Sequence, residues 1–550
     1  MRALLVLSVL AVTVTLLTPT PTLAAGRGDS VRTKVNSTIL FDGIQIDSVI
    51  IENRNIYDTD EEGYDKFIFK LANKLHLKTN RYIVNRELLL KKGDLFSTDL
   101  AEESSRNLRK NLKVYDAWIE AEALPNGNVL MKVVTIDEWS LTGGLNYSRE
   151  GNVTRYKIGL EEENFLGNNQ FLSFYYFAQS DDENFVETRF FDNRFLGKSY
   201  SLRLDLNNDP LNTVQRVALS RPFYDLQQKW AYAADVRKFS GRRDVYDDSI
   251  KIGESTFDGD VAQGSIAYRF GGYGEKLSLQ LSHKYRFERN FDKQIFVNGN
   301  ADSLMSIAGF SVDSLYHEIR LAANYSRFKY IKLHNIDGFK YTEDYILGYF
   351  AGLELRRAFL ADFEGHHFDV AGASVSRYWS QGSDLILFDY GHTVWFRGND
   401  MLRHFTTLRG KYYNRASRRV TLAFSAAYTS DWDQSGRNNL SLGGTTGIRG
   451  YDKFFRTGNR RLVFNAETRL YSDITILSAM FGGAVFVDLA SIWKSGEPLE
   501  FDHTYASAGI GLRIAFEKST KNIVRIDLAY SEATKWELSI GTNQYFFATK

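Results

Sequence analysis

From about Glu138 to the C-terminus, apolar and polar positions alternate in successive segments of about eight to twelve residues. Leu202, Leu204 and Leu206 alternate with Ser201, Arg203 and Asp205, and Leu277, Leu279 and Leu281 with Lys276, Ser278, Gln280 and Ser282. Near the end, Val524, Ile526, Leu528 and Tyr530 alternate with Arg525, Asp527 and Ala529, and Trp536, Leu538 and Ile540 with Glu537 and Ser539. A period of two predicts strands with one apolar, aromatic face and one charged face. Residues 44–137 read differently. Ile44–Glu52 predicts a strand. Between Tyr64 and Leu77, Phe67, Ile68, Leu71 and Leu75 recur at three- and four-residue steps, the spacing of an amphipathic helix. A second helix begins near Ser97-Thr98-Asp99 and carries Leu100, Leu108 and Leu112, with Glu102 and Glu103 near its positive end. Strands Val114–Ala121 and Val129–Thr135 follow, joined by Pro125-Asn126-Gly127. That order predicts one small α+β domain at about 43–137, preceded by a linker at 26–42. Met1-Arg2, the apolar run Ala3–Leu17 and the small residues ending at Ala25 predict a signal peptide over 1–25.

A soluble sandwich hides its apolar faces between two sheets and uses shorter strands with more proline turns. A transmembrane barrel turns the apolar face to lipid and the charged face to a wet lumen. Ten residues at ~3.3 Å rise, tilted about 40°, reach roughly 25 Å, the height of such an apolar band. Short connections at 165–169 and 195–199 interleave with longer polar stretches at 241–262 and 431–460, which predicts short turns at one end and long loops at the other. The reading is therefore a large antiparallel transmembrane β-barrel over 138–550. Counting segments gives about 16 to 20 strands, and an even number returns the C-terminus to the side of the N-terminal domain.

Composition agrees. A mean hydropathy of −0.32 beside 14% aromatic residues is what averaging a lipid face, a charged lumen and wet loops produces. The absence of cysteine excludes disulfide frameworks, thiolate metal sites and cysteine nucleophiles. With 68 basic and 67 acidic residues, bulk charge favours no nucleic-acid partner. There is no H-E-x-x-H, no P-loop and no G-x-S-x-G elbow, so no enzyme, metal or cofactor is expected.

The most specific stretch is Gly443-Gly444-Thr445-Thr446-Gly447-Ile448-Arg449-Gly450-Tyr451, followed by Glu467 and Arg469 in one strand and Phe486-x-Asp488 in the next. The glycines allow an outer loop to fold sharply. Taken alone, Arg449 is either an exposed loop arginine or one drawn into the lumen. In the second case it needs acceptors, and Asp488 and Glu467 both alternate toward the lumen. Ile-Arg-Gly-Tyr in a late Gly-rich loop, with the Phe-x-Asp strand after it, resembles the BamA/TamA-type superfamily of outer-membrane insertases and translocases. The α+β unit resembles its polypeptide-transport-associated (POTRA) domain, so the chain is similar to a single-POTRA member with a surface-antigen-type barrel. The resemblance covers essentially the whole chain after residue 42. It implies 16 strands, loop 431–460 folded into the lumen, and Arg449 paired there with Asp488 and Glu467.

The resemblance also implies a bacterial outer-membrane location, with the N-terminal domain in the periplasm. The first strand, at about Glu138–Ser148, is expected to close on the last, at about Lys535–Phe547, and the resemblance implies that this seam can open to pass or template client strands. Gly541 either weakens the seam or is an ordinary barrel glycine. The implied partners are outer-membrane lipid, unfolded β-barrel or secreted client proteins, and periplasmic chaperones or accessory lipoproteins. The expected function is insertion or translocation of clients, with a dedicated two-partner-type secretion translocase and a passive pore as alternatives. Two departures from the family pattern stand out: Ala490 where relatives commonly have glycine, and Ala548-Thr549-Lys550 after the terminal aromatics.

Overall fold

The structure is a computed structural model. It describes residues 39–150, 153–180, 183–247, 250–297, 300–302, 314–339, 341–360, 367–434, 440–443, 447–452, 455–494, 496–498, 504–518, 523–542 and 544–546. The expected signal peptide and most of the expected linker lie outside the described residues.

The N-terminal domain runs β1 (Ile46–Arg54), α1 (Phe67–Leu75), α2 (Arg81–Arg86), α3 (Thr98–Asn111), β2 (Val114–Ala123) and β3 (Val129–Asp137). Its sheet order is β1-β3-β2, parallel between β1 and β3 and antiparallel between β3 and β2. Helix α3 starts where Ser97 accepts a hydrogen bond from the Leu100 amide, satisfying one of the helix's unpaired donors. Leu108 of α3 meets Ile46, Val84, Phe96, Val129, Met131 and Val133 in a fully buried core. Two features differ from the sequence reading. A third helix, α2, fills part of what the periodicity left as a connection. The stripe Phe67, Ile68, Leu71 and Leu75 of α1 is exposed, and Phe69 on the opposite side is the buried residue.

Beyond this domain the chain forms a closed antiparallel barrel from Leu141–Glu150 to Lys535–Thr542, with the last strand placed beside the first. Among the described residues it has 20 strands of eight residues or more, plus the short segment Asn300–Asp302. The segment count reaches this number, and the 16 implied by resemblance does not. Exposed apolar side chains such as Ile158, Leu160, Phe174, Leu279, Leu281, Leu355, Trp536, Leu538 and Ile540 cover the outside, while buried charges including Arg469, Asp488, Arg513 and Asp527 lie inside.

The wall is uneven. The six strands from Leu141 to Arg221 have 8 to 10 residues, whereas the long strands between Trp230 and Leu360 have 18 to 23. This corrects the reading of 241–262 as a long loop: it belongs to strands Trp230–Asp247 and Ile250–Phe270. Their ends carry polar residues on both faces (Arg242, Arg243, Glu254, Asp258), so the period-two signal vanishes although the ladder continues. The seam strands also differ from expectation. The first starts at Leu141 rather than Glu138, and the last ends at Thr542 rather than Phe547.

The domain docks on one end of the barrel through polar contacts. Asn80 donates from its backbone to Gly167 O at 2.9 Å, Arg194 to Glu87 at 2.7 Å, and the Leu226 amide to Glu103 at 2.7 Å. Arg109 makes a bidentate pair with Asp344, both bonds at 2.8 Å, and the Tyr64 hydroxyl donates to Glu517 at 2.6 Å. The turns involved lie at the end where the chain enters the barrel.

Candidate functional site

Three strands supply the floor of the site: Arg460–Ile476, Ala479–Trp493 and Ile523–Ser531. Their alternation sends Glu467, Arg469, Asp488 and Asp527 inward, where each is fully buried. The loop between Asp433 and Arg460 reaches down to them. Gly447 adopts φ +130°, where a β-carbon would sit 2.8 Å from Val463 Cγ2, so close approach of the loop to the wall requires glycine. Gly450 has φ +76°, and its carbonyl accepts from Thr534 Oγ1 at 2.7 Å. Ile448 and Tyr451 are buried beside Leu442 and Val463, and the Tyr451 hydroxyl donates to Ala506 O at 3.0 Å. Gly443 has φ +120°, with Asp452 O where a β-carbon would be; Gly444 lies outside the described residues.

Arg449 is thereby held in the lumen. Its Nε and Nη2 donate to the two Asp488 carboxylate oxygens at 2.8 and 2.9 Å, and Nη1 donates to Glu467 at 2.9 Å. Asp527 stands 3.5 Å away. The guanidinium is sandwiched between the rings of Phe486 and Tyr545, with centroids 3.5 and 4.2 Å away. Burial works against its charge, and the Asp488 hydrogen bonds together with the negative charges of Asp488, Glu467 and Asp527 offset that cost.

The clamp is larger than the motif. Glu467 also faces Arg469 at 3.3 Å and Arg513 at 3.4 Å, and Arg513 pairs with Asp527 at 2.6 Å. Arg469 donates to Ile336 O at 2.6 Å and to Asp337 at 2.9 Å, both in the turn before strand Glu343–Leu360. Glu343 holds that turn by accepting from the Ile336, Asp337 and Gly338 amides at 2.9 to 3.0 Å. The C-terminal tail turns inward as well. Gln544 accepts from Arg513 Nε at 3.1 Å, and Phe546 O accepts from Arg469 at 2.6 Å. The loop before Arg460, a turn at the opposite end and the tail thus converge on one arginine–carboxylate cluster; the inward loop is the expected part, whereas the parts played by Asp337, Glu343, Arg513, Asp527 and the tail lie beyond the sequence reading. Isolated arginines within apolar strands (Arg513 in Ile510–Phe516, Arg525 beside Asp527) were the available signal.

Gly541 faces Arg525 in an unbroken ladder with the neighbouring strand Ile523–Ser531. A β-carbon there would lie 2.8 Å from Arg525 Nη2: the missing side chain leaves room for the guanidinium.

No protein-family model and no curated protein matches the chain. Solved structures share its outline. A crystal structure of BamA from Haemophilus ducreyi lacking POTRA domains 1–3 aligns over 90% of this chain and 84% of its own, at 13% identity and TM-score 0.36. CdiB from Escherichia coli aligns over 91% and 75%, at 11% identity and TM-score 0.43. CdiB from Acinetobacter baumannii aligns over 91% and 74%, at 10% identity and TM-score 0.40. These are likenesses of overall shape, and the chemistry of the site rests on its own geometry.

Proposed function

We propose that the chain spans the bacterial outer membrane and inserts client polypeptides into it, or passes them through it, by strand pairing at the seam. The carrying observation is the clamp: Arg449 locked by Asp488 and Glu467 beneath an inward loop. A lumen occupied by loop, turn and tail is poorly suited to free diffusion, which leaves the wall and its closing strands as the working surface. The N-terminal domain acts as a single POTRA-like unit on the periplasmic side, where edge strand β2 can pair with extended clients. The driving force is the client's own strand pairing and burial in lipid, without nucleotide hydrolysis. Accessory lipoproteins or chaperones deliver the clients.

Photo-crosslinkers placed in Lys535–Ile540 in living cells test this reading. Adducts with several different outer-membrane barrels support an insertase. Adducts with one secreted protein alone replace it with a dedicated translocase. No adducts together with high single-channel conductance replace it with a pore.

A further inference from the structure

Helix α1 has two apolar faces. One is accounted for: Phe69 and Ala72 pack with Ile56, Tyr57, Tyr64 and Trp139, and Asn73 exchanges hydrogen bonds with the Tyr57 backbone at 2.7 and 3.1 Å. The other is bare. Phe67 is 78% exposed, Ile68 50%, Leu71 39% and Leu75 65%, and Leu77 just beyond the helix is 57% exposed. At 100° per residue the four helical positions fall within an arc of about 100°, the width of a buried stripe. The only charged residues inside the helix, Lys70 and Lys74, lie side by side along one edge of that arc, and Lys66 and Lys78 stand just beyond the ends of the helix. Contiguous exposed patches of this kind have a partner.

The position of the helix identifies that partner. On its N-terminal side, the Tyr57 and Tyr64 hydroxyls donate to Glu517 at 3.2 and 2.6 Å. On its C-terminal side, Leu77 O accepts from Asn164 Nδ2 at 3.2 Å, and the Asn80 amide donates to Gly167 O at 2.9 Å. Glu517 follows strand Thr504–Phe516, and Asn164–Gly167 precedes strand Gln170–Gln179. These turns lie on opposite sides of the seam. The helix is therefore strung beneath the junction of first and last strands, held at both ends to the rim of the wall. The rim there is apolar on its outside: Leu141, Leu160, Leu166 and Phe516 are all exposed.

We propose that α1 is an in-plane membrane anchor. Its stripe enters the headgroup–acyl boundary of the periplasmic leaflet below the seam, and its lysines meet lipid phosphates. The proposal rests on the membrane-spanning reading above. The acidic residues of 58–65 lie outside the helix and remain on the water side.

The chain has no cysteine, so single cysteines report cleanly. Leu71→Cys and Leu75→Cys carry an environment-sensitive dye in full-length protein reconstituted into phosphatidylethanolamine/phosphatidylglycerol vesicles containing a spin-labelled quencher lipid. Leu538→Cys is the wall control and Asp60→Cys the aqueous one. Only protein with the heat-modifiable gel mobility of a folded barrel is read. The expected result is blue-shifted emission and quenching by about half or more at 71, 75 and 538, but not at 60. Adding Phe67→Asp and Ile68→Asp releases the probe at 75 while leaving 538 quenched. Quenching at 538 with water-like emission at 71 and 75 overturns the anchor and leaves the spanning reading intact. No quenching at 538 overturns both. Burial at 71 and 75 only after addition of an unfolded client protein makes the face a client site, and the anchor fails.

Discussion

Replacing Arg449 with alanine leaves three buried carboxylates short of a partner, but not equally. Glu467 keeps Arg469 and Arg513 at 3.3 and 3.4 Å, and Asp527 keeps Arg513 at 2.6 Å. Among the described residues, Asp488 keeps only neutral donors, Asn465 Nδ2 at 2.9 Å and the backbone amide of residue 449 at 3.2 Å. Its fully buried charge is the one stranded, and breaking a buried pair from one side costs roughly 3–5 kcal/mol. If the clamp is undone in the unfolding transition state, unfolding accelerates by about two to four orders of magnitude. The assay is loss of heat-modifiable gel mobility in urea, followed as a rate, because unfolding of large membrane barrels is irreversible in practice. The double variant Arg449→Ala/Asp488→Asn recovers much of the loss because the orphaned charge is gone. Arg449→Ala/Glu467→Gln does not, because it also removes the carboxylate that Arg469 and Arg513 share. Wild-type kinetics for Arg449→Ala, or rescue by Glu467→Gln rather than Asp488→Asn, would refute the reasoning.

Gly447→Ala forces a β-carbon to 2.8 Å from Val463 at φ +130°, so the loop is expected to lift, at a cost of about 1–3 kcal/mol, read as faster protease cleavage within 434–459. Ending the chain after Asn543 removes the Gln544, Tyr545 and Phe546 contacts to Arg513, Arg449 and Arg469, and is expected to lower the urea resistance of the barrel. Unchanged resistance would show that the tail only rests in the lumen. Burial pushes the Glu103 carboxyl above its ordinary range, against a hydrogen bond from the Leu226 amide, and its Oε2 has no hydrogen-bond partner among the described residues. Its folded pKa exceeds the unfolded one, so its contribution to docking is fully present below the unfolded value and is lost as pH rises through the folded value. Hydrogen exchange in α3 should therefore quicken with pH, after correction for intrinsic rates, and Glu103→Gln should flatten that dependence.

Much of this molecule was legible because one chemical contrast repeats. Leu277, Leu279 and Leu281 against Ser278, Gln280 and Ser282 declare a strand with two unlike surroundings, and repetition of that contrast marks most of the barrel wall. The pattern fails where the surroundings become alike. Around Arg242, Arg243 and Glu254 polar residues stand on both faces and strand reads as loop. In α1 the apolar stripe was visible at Phe67, Ile68, Leu71 and Leu75, but periodicity cannot say which apolar side packs inward; Tyr57 and Tyr64 settle that by covering Phe69. The structure joins Arg449 to Asp488 and Glu467, residues legible as inward charges flanking a Gly-rich loop. The tail was not legible: Tyr545 and Phe546 continue an aromatic strand by composition, yet they turn inward because the Tyr545 ring stacks under the Arg449 guanidinium and the Phe546 carbonyl accepts from Arg469.

Refolding of a client protein in vesicles is the direct test of seam-driven insertion. Purified protein is reconstituted into vesicles, and a urea-unfolded, unrelated β-barrel protein is added. The account predicts folding at least about tenfold faster than in protein-free vesicles, with Arg449→Ala losing most of that gain. Equal rates with and without the protein, at matched lipid and with the barrel shown to be folded, would contradict it.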